Sequence, residues 1–106
     1  MATRGEVWLA ALDPAVGGEI QKTRPCLIIS PAELNDHLRT VTVAPMTSSS
    51  HPAGFRIPLT FQGISGLILL DESRALDKKR LIKRLGTVPA AVLRQALRTM
   101  RELYEE

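Results

Sequence analysis

Before residue 88, every apolar run in this chain is short and closed by proline, glycine or a polar turn; only after Pro89 do apolar residues recur at helical spacing. That division predicts an α+β, mainly β domain: a small twisted sheet or partly open barrel, with one amphipathic helix over an end or face. The predicted strands run over Glu6–Leu12, Arg24–Ile29, Arg39–Met46, Phe55–Leu59, Gly66–Leu70, a piece through Ala75 and Leu76, and Ile82–Val88. Pro45 predicts the end or the edge of its strand. Ser30-Pro31-Ala32-Glu33 reads as a capping box, with Ser30 as N-cap of a short helix to about Asp36. Asp77 is placed to cap one turn through Lys78-Lys79-Arg80. In the last segment Val92, Leu93, Ala96, Leu97, Met100, Leu103 and Tyr104 form the apolar stripe, with Thr87 the expected cap.

The 106 residues suffice for one core, so 1–106 is read as a single domain. With 44% apolar and 24% charged residues the composition is that of a folded chain rather than a disordered one. No run approaches the roughly 20 apolar residues of a membrane helix, and the N-terminus lacks a secretory signal, so the expected address is cytoplasmic. Cys26 has no partner for an intrachain disulfide and is expected in the core. Two scattered histidines give no metal-ligand cluster, and no cofactor is expected. The net charge of +3 is uneven. Residues 1–72 carry five Lys/Arg against seven Asp/Glu, and 73–106 carry nine against four, with Lys78, Lys79, Arg80, Lys83 and Arg84 crowded together. Such a cluster either steers a polyanion or forms a solvated turn.

Lys22-Thr23-Arg24-Pro25 leads directly into the apolar strand Cys26-Leu27-Ile28-Ile29. Proline disfavours helix for the preceding residue, so Arg24 is held in extended backbone at a strand's mouth. Its rigid, permanently charged fork suits phosphate oxygens; the structural alternative is an ion pair with Glu19 or Asp71. Three loops converge if the sheet curls: the Gly17-Gly18 loop, Thr47-Ser48-Ser49-Ser50, and Asp71-Glu72-Ser73-Arg74. RNA carries its own 2′-OH nucleophile, so its cleavage needs only a base, donors for the developing phosphate charge, and an acid for the 5′-oxygen. Arg24 suits charge stabilisation, and Thr47 suits a hydrogen bond to a phosphate oxygen or the 2′-OH. Asp71, Glu72, Glu19 and His51 remain candidate bases.

Arg4-Gly5-Glu6-Val7-Trp8, Leu12-Asp13-Pro14, Gly17-Gly18-Glu19, Lys22-Thr23-Arg24-Pro25, Val43-Ala44-Pro45-Met46-Thr47-Ser48, Gly66–Asp71, Arg74-Ala75-Leu76-Asp77 and Lys83-Arg84-Leu85-Gly86 occur in that order. The ordered set resembles the MazF/PemK toxin family over nearly the whole chain. The resemblance implies an SH3-like barrel of the plasmid-toxin type and a homodimer. It also implies metal-independent, sequence-specific cleavage of single-stranded RNA to 2′,3′-cyclic phosphate and 5′-hydroxyl ends, and neutralisation by a cognate antitoxin. It assigns Arg24 and Thr47 as catalytic and, from one branch of the family, Asp71 as base; Glu19 stays a possible base or auxiliary on the reading of the residues alone. Gly17, Gly18, Gln21, Lys22, Thr23, Ser48, Ser49, His51, Glu72 and Arg74 are the implied RNA contacts. Three positions depart from the pattern. The basic companions of Asp71 in one branch fall here on Leu69 and Gly18, and Glu72 stands where the family usually has glutamine. Two rivals are a toxin of the same fold that poisons DNA gyrase, and a nucleic-acid-binding barrel without activity.

Overall fold

A computed structural model describes residues 2–12 and 23–106. Among the described residues seven strands form: β1 (Glu6–Ala11), β2 (Thr23–Ile28), β3 (Thr40–Thr47), β4 (Arg56–Phe61), β5 (Ile64–Leu69), β6 (Arg74–Asp77) and β7 (Leu81–Thr87). Helix α1 (Ala32–Asn35) follows β2, and α2 (Ala90–Leu103) ends the chain. Single 3-10 turns, Leu70–Glu72 and Lys78–Arg80, flank β6. The sheet runs β4-β5-β3-β2-β1-β7, with β6 also on β3, and the pairings are antiparallel. This is the mainly β barrel with two helices expected from the sequence.

From Cys26 to Ile28 strand β2 is continuously apolar, because there both its faces are buried. Leu27 packs with Val7, Met46, Ile68 and Leu70 inside the barrel. Cys26 and Ile28 pack with Ala10, Val41 and Leu76 on the other face. Strand β3 is the hub: besides β2, its first half pairs β6 and its last residues pair β5.

Pro45 lies inside this strand, buried and opposite Cys26, rather than at an end or edge. The peptide groups of Thr42 face the β2 side, where its N–H meets Ser30 Oγ and its carbonyl accepts from Ile29. Alternation turns Pro45 away from β2, into the gap between the β6 ladder ending at Val43 and the β5 ladder starting at Met46. The missing N–H costs no ladder bond there.

The two ends of the strand order meet through side chains. Gln62 and Gly63, both at positive φ, form a two-residue hairpin loop between β4 and β5. Gln62 Nε2 donates to the Leu85 carbonyl at 2.7 Å, and Phe61 lies so close to Gly86 that a Cβ there would meet its ring at 3.1 Å. Helix α2 covers the interior through Val92, Leu93, Ala96, Leu97 and Met100. Leu103 and Tyr104, expected on the same stripe, are 40% and 75% exposed because the helix outlasts the core it covers.

The capping expectations divide. Asp77 accepts from the Lys79 N–H at 2.9 Å, as expected. Ser30 is not the cap of α1; Pro31 is, without a side-chain bond. The Ser30 hydroxyl is instead buried, donating to Asn35 Oδ1 and accepting from Thr42. Nor does Thr87 cap α2, for its hydroxyl accepts from Arg84 at 2.8 Å. The basic cluster is largely spent within the fold. Lys78 donates to the Asn35 carbonyl, Arg80 to the carbonyls of Ala11 and Leu12, and Arg84 to Glu6 at 2.8 Å. Lys79 and Lys83 stay exposed. Among the described residues no helix is long and apolar enough to cross a membrane.

Candidate active site

Arg24 and Thr47 meet across two strands. The β2–β3 register pairs Cys26 with Pro45, Leu27 with Ala44 and Ile28 with Val43. Carried two residues further, it sets Arg24 opposite Thr47, with side chains on one face. Arg24 Nη1 donates to Thr47 Oγ1 at 3.0 Å. Thr47 Oγ1 also accepts from the Ser49 N–H at 3.3 Å and shares a 3.2 Å hydrogen bond with Ser49 Oγ. The first of these bonds folds the chain back just beyond β3. On its other side β5 presses in at Gly66, where a Cβ would stand 2.6 Å from the Thr47 carbonyl oxygen. Only glycine permits that approach.

The pair stands between two clefts. One, of about 480 Å³, is lined by Thr23, Arg24, Thr47, Ser48 and Ser49 on one wall and by Leu59, Phe61, Ile64 and Leu67 on the other. The second, of about 230 Å³, is bounded by Arg24, Thr47, Ser49, Ser50 and Glu72, with Leu12 and Leu69. Arg24 and Thr47 line both.

Asp71 is held elsewhere. Arg56 reaches it with two parallel bonds, Nε to Oδ1 at 3.2 Å and Nη2 to Oδ2 at 3.0 Å. That hydrogen bonding to Arg56 keeps the Asp71 carboxyl below its ordinary range, against the opposing effect of burial. The same guanidinium donates through Nη1 to Ser50 Oγ and to the His51 carbonyl. Arg56 therefore fastens the loop after Thr47 to the turn after β5. Arg56 carried no local signal in the sequence, where it reads only as a polar residue at a strand's start. Its importance comes from β4 pairing with β5, which sets Arg56 opposite Leu69, two residues from Asp71.

Of the implied contacts, Thr23, Ser48, Ser49 and Glu72 line one or both clefts, whereas His51 and Arg74 line neither of them. Arg74 lies on β6 opposite Val43. Gly17, Gly18, Glu19, Gln21 and Lys22 lie outside the described residues. The apolar wall of the larger cleft was not foreseen as part of a site, since Leu59, Phe61 and Ile64 read simply as strand residues. Cys26, two residues after Arg24, is fully buried, and burial pushes its thiol up to about 12.

Fold and cleft together define a small curled-barrel protein with a cationic fork and a hydroxyl presented side by side on its sheet. The chain belongs to the PemK-like, MazF-like toxins of type II toxin-antitoxin systems, whose family model matches residues 3–104. It is 42% identical to the endoribonuclease PemK of Escherichia coli over 100 residues, covering 89% of this chain and 75% of that protein. The crystal structure of MazF from Deinococcus radiodurans superposes with a TM-score of 0.81 at 30% identity, over 96% of this chain and 94% of the other. A MazE-MazF structure from the same organism gives 0.83 at 30% identity, with the same coverages.

Proposed function

We infer that this protein is a sequence-specific endoribonuclease toxin that cleaves single-stranded RNA without a metal ion. The reading is carried by the 3.0 Å contact between Arg24 and Thr47 at the boundary of two clefts. Family membership and the endoribonuclease relatives support it. A phosphodiester seated there meets a guanidinium that holds a non-bridging oxygen and offsets the charge growing on it. The Thr47 hydroxyl hydrogen-bonds a second phosphate oxygen or the attacking 2′-OH. The 2′-OH gives up its proton as its oxygen bonds to phosphorus, the bond from phosphorus to the 5′-oxygen breaks, and that oxygen takes up a proton, so the step has no net proton change. The products are a 2′,3′-cyclic phosphate and a 5′-hydroxyl. Water is not consumed in this step.

Asp71 is assigned to positioning rather than to proton abstraction. A carboxylate whose pKa is lowered by a bidentate arginine is a poorer base near neutrality. Thr23, Ser48, Ser49 and Glu72 are assigned to RNA contact from their places on the cleft walls. The working form is a homodimer acting in the cytoplasm, neutralised by a cognate antitoxin. The antitoxin assignment is supported by the toxin-antitoxin family and by the MazE-MazF relative.

The test is purified protein with RNA in EDTA, comparing wild type with Arg24→Ala and Thr47→Ala and assaying for cyclic-phosphate ends. Cleavage by wild type and its loss in both variants is expected. Undiminished cleavage in both variants rejects the site. RNA binding without cleavage by wild type, or inhibition of gyrase supercoiling, rejects the activity.

A further inference from the structure

We propose that Glu72 selects a guanine next to the phosphate held by Arg24, an inference that rests on the endoribonuclease reading and adds the base recognised. Glu72 ends the Leu70–Glu72 turn and borders the smaller cleft, with Arg24, Thr47, Ser49 and Ser50 as its polar neighbours. At about 230 Å³ this cleft is below the roughly 300–1,000 Å³ of sites for drug-sized ligands, a size suited to one planar group. It adjoins the Arg24–Thr47 pair, so a base in it belongs to a nucleotide flanking the bound phosphate.

The carboxylate of Glu72 is available. Its side chain is 56% exposed, and its ion pair with Arg56, Nη2 to Oε2 at 4.0 Å, is too long to be a hydrogen bond. Arg56 directs its donors elsewhere, to Asp71, Ser50 and the His51 carbonyl. That bracing also fixes the turn on which Glu72 stands. Glu72 thus lines, as an acceptor, the same cleft as the cation that takes the phosphate.

An ionised carboxylate accepts and never donates. Sequence-specific proteins read splayed single-stranded bases along their Watson–Crick edges. Guanine presents two adjacent donors there, N1–H and N2–H, which match the two carboxylate oxygens. Cytosine and adenine each put an acceptor beside their single amino group, and uracil flanks its one N–H with two carbonyls. Each of these sets an oxygen or nitrogen lone pair against the carboxylate. Glutamine at the same position presents one acceptor and one donor, and so loses the match to guanine.

Cleavage of a random-sequence RNA pool, with the new ends sequenced, tests the proposal on the intact protein. Wild type is expected to enrich guanine at one of the two nucleotides flanking the cut, and Glu72→Gln to reduce that enrichment about tenfold or more, the scale of a bidentate base contact. A second arm measures binding of fluorescent hexamers blocked by 2′-deoxyribose at the cut site, with that guanine kept or replaced by inosine, which lacks the N2 amino group. Wild type is expected to bind the inosine hexamer more weakly, and Glu72→Gln to bind both alike. No guanine enrichment at either flanking position, the same enrichment in Glu72→Gln, or equal affinity of wild type for the two hexamers overturns the proposal. A wild type that cuts nothing rejects the endoribonuclease reading, while hexamers with guanine or inosine scanned through each position still decide the role of Glu72.

Discussion

Arg24 and Thr47, 23 residues apart in the chain, are joined by a 3.0 Å hydrogen bond from Nη1 to Oγ1. They are brought together by the register of two antiparallel strands, so the contact is built into the sheet rather than left to a loop. A guanidinium has further donors free to turn toward a phosphate while one nitrogen stays fixed on Thr47. The threonine hydroxyl is oriented in turn by Ser49.

The fork matters more than the charge. Arg24→Lys keeps one positive charge but cannot hold Thr47 and a phosphate in one plane, so single-turnover cleavage is expected to fall at least about tenfold. Arg24→Ala is expected to fall by about 10²–10³, the scale for removing a donor that stabilises a developing oxyanion. Thr47→Ser keeps the hydroxyl and is expected to exceed Thr47→Val by at least about tenfold in the same measurement. Equal rates for Thr47→Ser and Thr47→Val would remove the hydroxyl from the mechanism.

Arg56 and Asp71 act as one unit. Arg56→Gln and Asp71→Asn are each expected to lower kcat, because each frees the loop that follows Thr47. The double variant is expected to be no slower than the slower single, since neither residue can brace the loop alone. Additive losses in kcat would mean that the two residues act separately. If Asp71 were instead the base, Asp71→Asn would abolish the acidic limb of the pH–rate profile. The expected profile keeps that limb.

The same pair predicts the direction of an acid effect. Its hydrogen bonding to Arg56 lowers the Asp71 pKa in the folded state, so its stabilisation is present above the unfolded value of about 4 and is lost as pH falls through the folded value. Urea melts should therefore separate wild type from Asp71→Asn at pH 7 and bring them together toward pH 2. A gap that widens in acid contradicts this sign.

Gly66 is required by distance. A methyl group there meets the Thr47 carbonyl oxygen at 2.6 Å, so β5 or Thr47 must move. Gly66→Ala is expected to cost about 1–3 kcal/mol in denaturant melts, the scale of local overpacking, and to reduce cleavage more than Gly54→Ala, where a Cβ meets nothing within 4 Å. Equal effects at the two glycines would refute the close-approach argument.

Cys26 is buried and its thiol is pushed up to about 12, so the native protein holds almost no thiolate at pH 8. Iodoacetamide is expected to leave folded protein unmodified for hours and to label it rapidly in denaturant, followed by mass spectrometry. Prompt labelling of native protein would place the thiol at the surface.

Much of the fold was legible because the signals were local. The apolar run after Arg24, the turn residues between strands, and the helical period after Pro89 each fixed an element within a residue or two of its place. Pro45 misled because its tolerance depends on which strands flank β3, and the two ladders that leave a gap there come from distant segments. Ser30 misled for a related reason. Its hydroxyl had a good local role as a cap, but Asn35 and Thr42 offered it buried partners. Leu103 and Tyr104 kept the helical period after the core had ended.

Residue types alone set out the chemistry available: a cation locked in extended backbone by Pro25, a hydroxyl at the start of a polar loop, and apolar segments short enough to be strands. Which of these groups meet was settled by the folded chain. Register placed Arg24 against Thr47, strand β4 delivered Arg56 to Asp71, and the Leu70–Glu72 turn brought Glu72 to the cleft. Side-chain type is written residue by residue, whereas contacts between residues far apart in the chain depend on strand order and register, which the whole core sets at once.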